Sequence, residues 1–154
     1  MKAGDKEAKT IATQLLETTG ETLLSGDFEV FATAFHIPHV IRTAEGNTYL
    51  NTTEELRVVF EEVRRAYELK GITHFIRHCA AATFKDDNTI HATHVAHNMA
   101  GDFRVGDPFP VFSVIERRAD DIWRIYSSEY AENAETPRGR ALMSSGKQEK
   151  GPRL

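Results

Sequence analysis

Residues 72–100 read ITHFIRHCAAATFKDDNTIHATHVAHNMA. Two long runs flank the turn-forming Asp86-Asp87, so the stretch reads as a β-hairpin around which the rest of the chain is arranged. Side chains alternate faces along a strand. Pairing Lys85 with Asn88 across the turn puts His74, His78, His91 and His97 on one face with Ile76 and Val95. His94 falls on the other face, with Phe75, Arg77, Cys79 and Asn98. Met99 then stands opposite His74, and His97 stands opposite Ile76, diagonal to His74 and His78 at roughly 7 Å between backbone positions. Five of the chain's seven histidines lie in this hairpin, where a strand surface ordinarily carries Thr or Val. Imidazole both takes and gives a proton near neutral pH, so the cluster marks a candidate acid–base site. The competing reading is an outer face whose flat, half-polar rings cover an interface.

Upstream of the hairpin, the apolar spacing predicts three helices. Ala8, Ile11, Ala12, Leu15, Thr19 and Leu23 give a packed stripe over about 5–25, weakened locally by Gly20. Asp27 caps a second helix, over 27–36, whose stripe is Phe28, Phe31, Ala32 and Phe35, and Pro38 stops it. Residues 39–50, HVIRTAEGNTYL, read as a short hairpin turning at Glu45-Gly46-Asn47. Thr52-Thr53-Glu54-Glu55 is a capping box that opens a third helix, over 53–70, with Leu56, Val59, Phe60, Val63 and Tyr67 on its apolar face. Glu61, Glu62, Arg64, Arg65 and Glu68 form a face expected to be solvated. Downstream, residues 101–108 form a polar loop, a connector or a lid, and 110–118 with 122–130 form another hairpin in which Trp123 and Ile125 share a face.

A chain of 154 residues with 40% apolar content fits one compact domain with a core of its own. Cys79 is the only cysteine, which excludes intrachain disulfides and thiolate zinc sites. No apolar run approaches a membrane span, and the start, MKAGDKEAKT, has no secretory apolar segment, so a cytoplasmic protein without membrane contact is expected. Residues 133–154 carry five Lys+Arg against two Asp+Glu, leaving 14 against 21 in the remainder. An acidic body argues against a nucleic-acid partner. The Gly- and Pro-containing segment 133–154 reads as a flexible, dispensable basic tail after a domain over 1–132.

Three helices, a short hairpin before the third, then four long strands describe an α+β fold in which a strongly curved, mainly antiparallel sheet wraps the helices. The sequence resembles the nuclear-transport-factor-2-like superfamily. The resemblance rests on Leu23-Leu24-Ser25-Gly26-Asp27-Phe28-Glu29 with Phe35 and Pro38, on Thr73-His74-Phe75, and on Asp120-Asp121-Ile122-Trp123-Arg124-Ile125. It implies a cone with an internal pocket, paired into homodimers through the outer face of the sheet. Enzymes of that superfamily include ketosteroid isomerases, scytalone dehydratase, SnoaL-like polyketide cyclases and limonene epoxide hydrolase; other members only bind or assemble. Thr73-His74-Phe75 is similar to the segment of scytalone dehydratase that carries a catalytic histidine, and His97 lies near the place of its second. The first helix has no tyrosine, and the position of the ketosteroid isomerase aspartate falls near Thr43.

The expectation is a small-molecule enzyme of lyase, isomerase or cyclase type, acting on a compact hydrophobic ligand. His74 is the expected base, with His97 or His78 as partner, and Phe31, Phe35, His39, Phe60, Tyr67 and Met99 line the pocket. The alternative is a non-catalytic ligand-binding or dimeric assembly module of the same fold. No organic cofactor is expected, because no glycine-rich phosphate loop is present. No metal is expected either. His74 and His78 stand ~13 Å apart along their strand, and no third ligand joins His78 and His97.

Overall fold

A computed structural model describes residues 3–151. The elements in chain order are α1 (Ala3–Ser25), α2 (Phe28–Ala32), β1 (Phe35–Thr43), β2 (Gly46–Leu50), α3 (Thr53–Leu69), β3 (His74–Asp86), β4 (Thr89–Ala100), β5 (Phe103–Arg104), β6 (Phe109–Arg117), β7 (Trp123–Tyr130), α4 (Pro137–Leu142) and β8 (Lys147–Lys150). The helices pack on one face of a large curved sheet ordered β3-β4-β6-β7-β1-β2-β8, with β5 beside β4. Only β1 and β7 run parallel among the described pairs. None of the helices described is long and apolar enough to cross a membrane.

Local chemistry accounts for the helix starts. The Asp27 carboxylate accepts from the Val30 amide at 3.2 Å. Thr52 Oγ1 accepts from the Glu55 amide at 3.1 Å while Glu55 Oε1 accepts from the Thr52 amide at 3.1 Å, which completes the capping box. Within the expected solvated face of α3, Arg64 has a partner instead: Nη1 donates to the carbonyls of Leu23 and Leu24, satisfying the last turn of α1. The second helix ends at Ala32 rather than 36. Phe35 is drawn into β1 opposite Ile125, whose amide donates to the Ala34 carbonyl at 2.7 Å.

The central hairpin turns one residue later than expected, on Asp87-Asn88, with Asp86 opposite Thr89. Bulges in β3, between Cys79 and Ala81 and between Phe84 and Asp86, then restore the register, so His74 still faces Met99 and Ile76 still faces His97. The bulge after Cys79 also keeps Cys79, Ala82 and Phe84 on the inner face, packed with α1.

Two cores result. Ala8, Ala12, Cys79, Ile90, Ala92, Ile115 and Ile125 form one beneath α1, joined by Trp123 and Phe84. Phe28, Phe31, Leu50, Leu56, Val59, Phe60 and Val63 form the other beneath α3. Ala141 and Leu142 of the supposed tail belong to this second core. Beyond residue 132 the chain is therefore not a flexible extension over its described part. Thr136 caps α4 by accepting from the Gly139 amide at 2.9 Å, and β8 adds to β2 with Tyr49 opposite Lys147 and Gly46 opposite Lys150. Gly139 permits the docking, since a Cβ there would lie 1.8 Å from the Asn133 carbonyl oxygen. A single apolar pair on one short turn leaves no periodic stripe, so the segment looked unstructured. Residues 152–154, the end of that segment, lie outside the described residues.

Candidate functional site

Between the two cores lies a cavity of about 120 Å³, a size comparable with cavities that admit one aromatic ring. The layering explains it: α1 and α3 stand on the sheet's concave face, and small residues, Ala12, Ala92 and Ala96, are among those facing the space between. Its walls are Leu15, Leu16, Phe31, Phe35, Val59, Val63 and Phe75. The polar groups that reach it include Arg77, His94, Asn98, Tyr130, Arg138 and His39. No Asp or Glu is among the residues that line it.

Arg77 rises from β3 toward α1. Its Nη2 donates to the Leu16 carbonyl at 2.7 Å and to Thr19 Oγ1 at 2.8 Å, and its guanidinium carbon lies 5.4 Å from the centre of the Phe75 ring. Gly20 makes room for this approach, because a Cβ there would come within 2.9 Å of Nη2. Burial lowers the pKa of Arg77, yet a guanidinium stays charged in any protein environment. No carboxylate pairs with it among the described residues. The second cavity arginine is different: Arg138 pairs with Glu132 at 2.7 Å and lies 3.6 Å over the Phe109 ring.

His94 and Asn98 stand on the two diagonals of Arg77, which is itself opposite Ala96. Burial first, then the Arg77 charge and His78, push the His94 pKa down to about 3. The ring is therefore neutral at pH 7, and it makes no hydrogen bond to protein among the described residues. Asn98 Oδ1 is buried without a partner. Tyr130 has its pKa raised, chiefly by burial. His39 is also neutral, its pKa lowered to about 4 by burial. Its Nδ1–H donates to the Ile125 carbonyl at 3.3 Å and the ring meets Phe35 edge-on at 4.9 Å, an arrangement that anchors β1 to β7. A free neutral imidazole beside a fixed cation can accept a proton while the cation holds the negative charge left behind.

Of the residues expected at the site, Phe31, Phe35, His39 and Tyr67 line the cavity. Phe60 packs behind Phe31, ring centres 4.6 Å apart, inside the second core. His74, His78, His97 and Met99 do not line it. They lie on the convex face, where His78 and His97 stack at 6.1 Å and Ile76 is 52% exposed; His74 Nδ1 lies 3.0 Å from Thr73 Oγ1. The alternation that separated His94, Arg77 and Asn98 from these histidines is correct, and the face with more histidines is the outer one. A usable signal was present: the Arg77 face also carries Phe75 and Cys79, and faces Ala92 and Ala96, apolar residues suited to a buried side. Tyr130 and Arg138 had no such signal, since they reach the cavity from β7 and α4.

No family model and no curated protein sequence matches the chain. Solved structures do. A domain of unknown function with a cystatin-like fold from Nostoc punctiforme superposes with a TM-score of 0.64 at 15% identity, over 86% of this chain and 80% of that one. ActVI-ORFA from Streptomyces coelicolor matches with a TM-score of 0.60 at 19% identity, over 79% of this chain and 95% of that one. A structure described as a putative ketosteroid isomerase from Shewanella frigidimarina matches with a TM-score of 0.58 at 16% identity, over 79% and 94%. Helices on the concave face of a curved, open sheet, together with these superpositions, show that the chain has the nuclear-transport-factor-2-like fold.

Proposed function

We propose that the chain is a small-molecule enzyme of lyase, isomerase or cyclase type that moves a proton inside the cone cavity, with His94 as the base. The observation that carries this reading is a neutral, unbonded imidazole in an apolar cavity beside an uncompensated cation. His94 takes a proton from carbon or oxygen of a compact hydrophobic ligand. Arg77 stabilises the oxygen on which negative charge collects, and that anion in turn relieves the repulsion between Arg77 and imidazolium, raising the basicity of His94 when it is needed. Asn98 and Tyr130 supply further polar contacts, and Phe31, Phe35 and Phe75 give the apolar walls. The expected base His74 is replaced in this role by His94 because the cavity opens on the other face of the hairpin.

A direct test uses cyclohexanone, a one-ring enolisable ketone, with loss of its α-proton NMR signals in D₂O as the readout. Wild-type protein should accelerate exchange, and His94→Gln should remove about 10²-fold of that acceleration, the usual scale of lost acid–base assistance. No acceleration by the wild type, or one that survives in His94→Gln, overturns the assignment.

The convex face supports a second element of this reading, a homodimer. Ile76 at 52% exposure sits among His74, His78, His97 and Val95, and no helix described here covers that side. Two copies meeting there would bury this apolar-histidine surface. Ile76→Glu should halve the mass seen by light scattering while leaving the cavity unaltered; a wild-type monomer at micromolar concentration would rule the dimer out.

A further inference from the structure

We infer that the ligand of this cavity is a monocarboxylate, a compact apolar molecule with one carboxylate that pairs with Arg77. The inference deepens the proton-transfer reading by naming the class of its substrate, and it rests on that reading only for the use made of His94.

The argument begins with charge balance. The chain is acidic, with 23 Asp+Glu against 19 Lys+Arg, yet none of those carboxylates lines the cavity. Arg77 and Arg138 both line it. Arg138 is neutralised by Glu132 at 2.7 Å, so one positive charge in the cavity is left unmatched. A largely buried charge without a counter-ion is destabilising, and a protein that keeps one there while placing acids elsewhere leaves the counter-ion to be supplied from outside.

Geometry narrows the class further. The two hydrogen bonds that Arg77 gives to protein both come from Nη2, to Leu16 and Thr19. They fix the guanidinium against α1. Nε and Nη1 have no protein acceptor among the described residues, and a planar fork with free donors suits the two oxygens of a carboxylate. A neutral carbonyl would accept a hydrogen bond and leave the charge uncompensated. A dianion such as a phosphate would bring one charge too many, given that Arg138 already has its acid. The cavity volume of about 120 Å³ and the leucine and phenylalanine walls limit the rest of the molecule to roughly one ring. With the acid held at Arg77, His94, on the diagonal in the adjacent strand, lines the same cavity as the rest of the ligand.

The test is calorimetric binding of benzoate and of benzamide, which share shape and size and differ in charge, in a buffer free of carboxylates. Benzoate should bind the full chain about 30-fold or more tightly than benzamide, the scale expected when one partner of an enclosed ion pair is lost. Arg77→Met, with its fold checked by circular dichroism, should abolish the preference while benzamide binding stays. Arg77→Lys keeps the charge without the fork and should give an intermediate preference, which also serves if the Met variant does not fold. His94→Gln should keep the preference for benzoate even though it removes proton exchange, so failure of the acid–base reading and failure of this one are separable. Equal binding of the two compounds, no binding of either at millimolar concentration, or a preference unchanged in Arg77→Met and Arg77→Lys would overturn the inference.

Discussion

The two faces of the β3–β4 hairpin share one backbone and the same residue alternation, yet they are chemically opposite. On the convex face His74, His78, His91 and His97 stand among side chains open to solvent, and the stacked pair His78–His97 is not among the residues that line the cavity. On the concave face a single histidine, His94, shares a half-open cavity with Arg77 and Asn98. A count of titratable groups favours the first face. Confinement favours the second, because removal from water and an enforced neighbour give a side chain a property that abundance does not.

The largest expected effect breaks the concave face from outside the hairpin. Removing residues 133–154 takes Leu142 and Arg138 from the cavity wall, uncovers the second core and strips β8 from β2. Truncating one buried leucine alone costs about 2–5 kcal/mol, so the deletion should lower stability by at least that amount in denaturant unfolding. His78→Ala with His97→Ala, on the convex face, should cost under about 1 kcal/mol in the monomer. A deletion that leaves stability unchanged would restore the dispensable tail expected from composition.

Next comes the pair His94→Gln and His97→Gln. The first should lower catalysed proton exchange about 10²-fold, and the second should leave it unchanged. The reverse result would return the chemistry to the convex histidines.

Acid sensitivity gives a smaller, graded contrast. His39 and His94 have folded pKa values lowered to about 4 and about 3, below the unfolded value near 6.5, and His36 is shifted in the same direction by burial. The unfolded chain therefore binds more protons below about pH 6.5. Stability contributed by these neutral rings is complete above that pH and is lost as pH falls toward the folded values, at a rate on the order of 1 kcal/mol per pH unit for His39 and for His94. Carboxylates add their own slope at the acid end, so the measurement is a difference: His94→Gln should be less acid-sensitive than wild type between about pH 6 and 4. Equal slopes would show that the ring is not enclosed. The smallest effect is expected from Gly20→Ala, where gain in helix propensity offsets displacement of the Arg77 guanidinium. Unfolding should shift by less than about 1 kcal/mol, while the preference for benzoate falls.

Much of this molecule could be read before its structure. The capping box at Thr52, the aspartate cap at Asp27, the stripes of α1 and α3 and the alternation in β3 and β4 are local, set by contacts a few residues apart, and each stands where its residues required. The central register was recovered even though the turn and two bulges differed from the expectation, because an inner face that must pack on α1 admits no slip to the opposite face. The end of α2 was missed: Phe35 keeps the helical spacing of Phe28 and Phe31, and pairing with β7, ninety residues on in the chain, overrides it.

The sequence by itself determined α1, α3 and the start of α2, the two long hairpins, the α+β class and the partition of the central hairpin's side chains between two faces, since all of these follow from periodicity and short-range hydrogen bonding. Only the tertiary structure decided which face is concave, that the C-terminal segment packs into the second core, and that Arg77 shares its cavity with His94 and no acid. Sheet curvature, the docking of α4 and the absence of a carboxylate from the cavity lining are sums over distant elements. No local pattern encodes them, and the proposed site depends on all three.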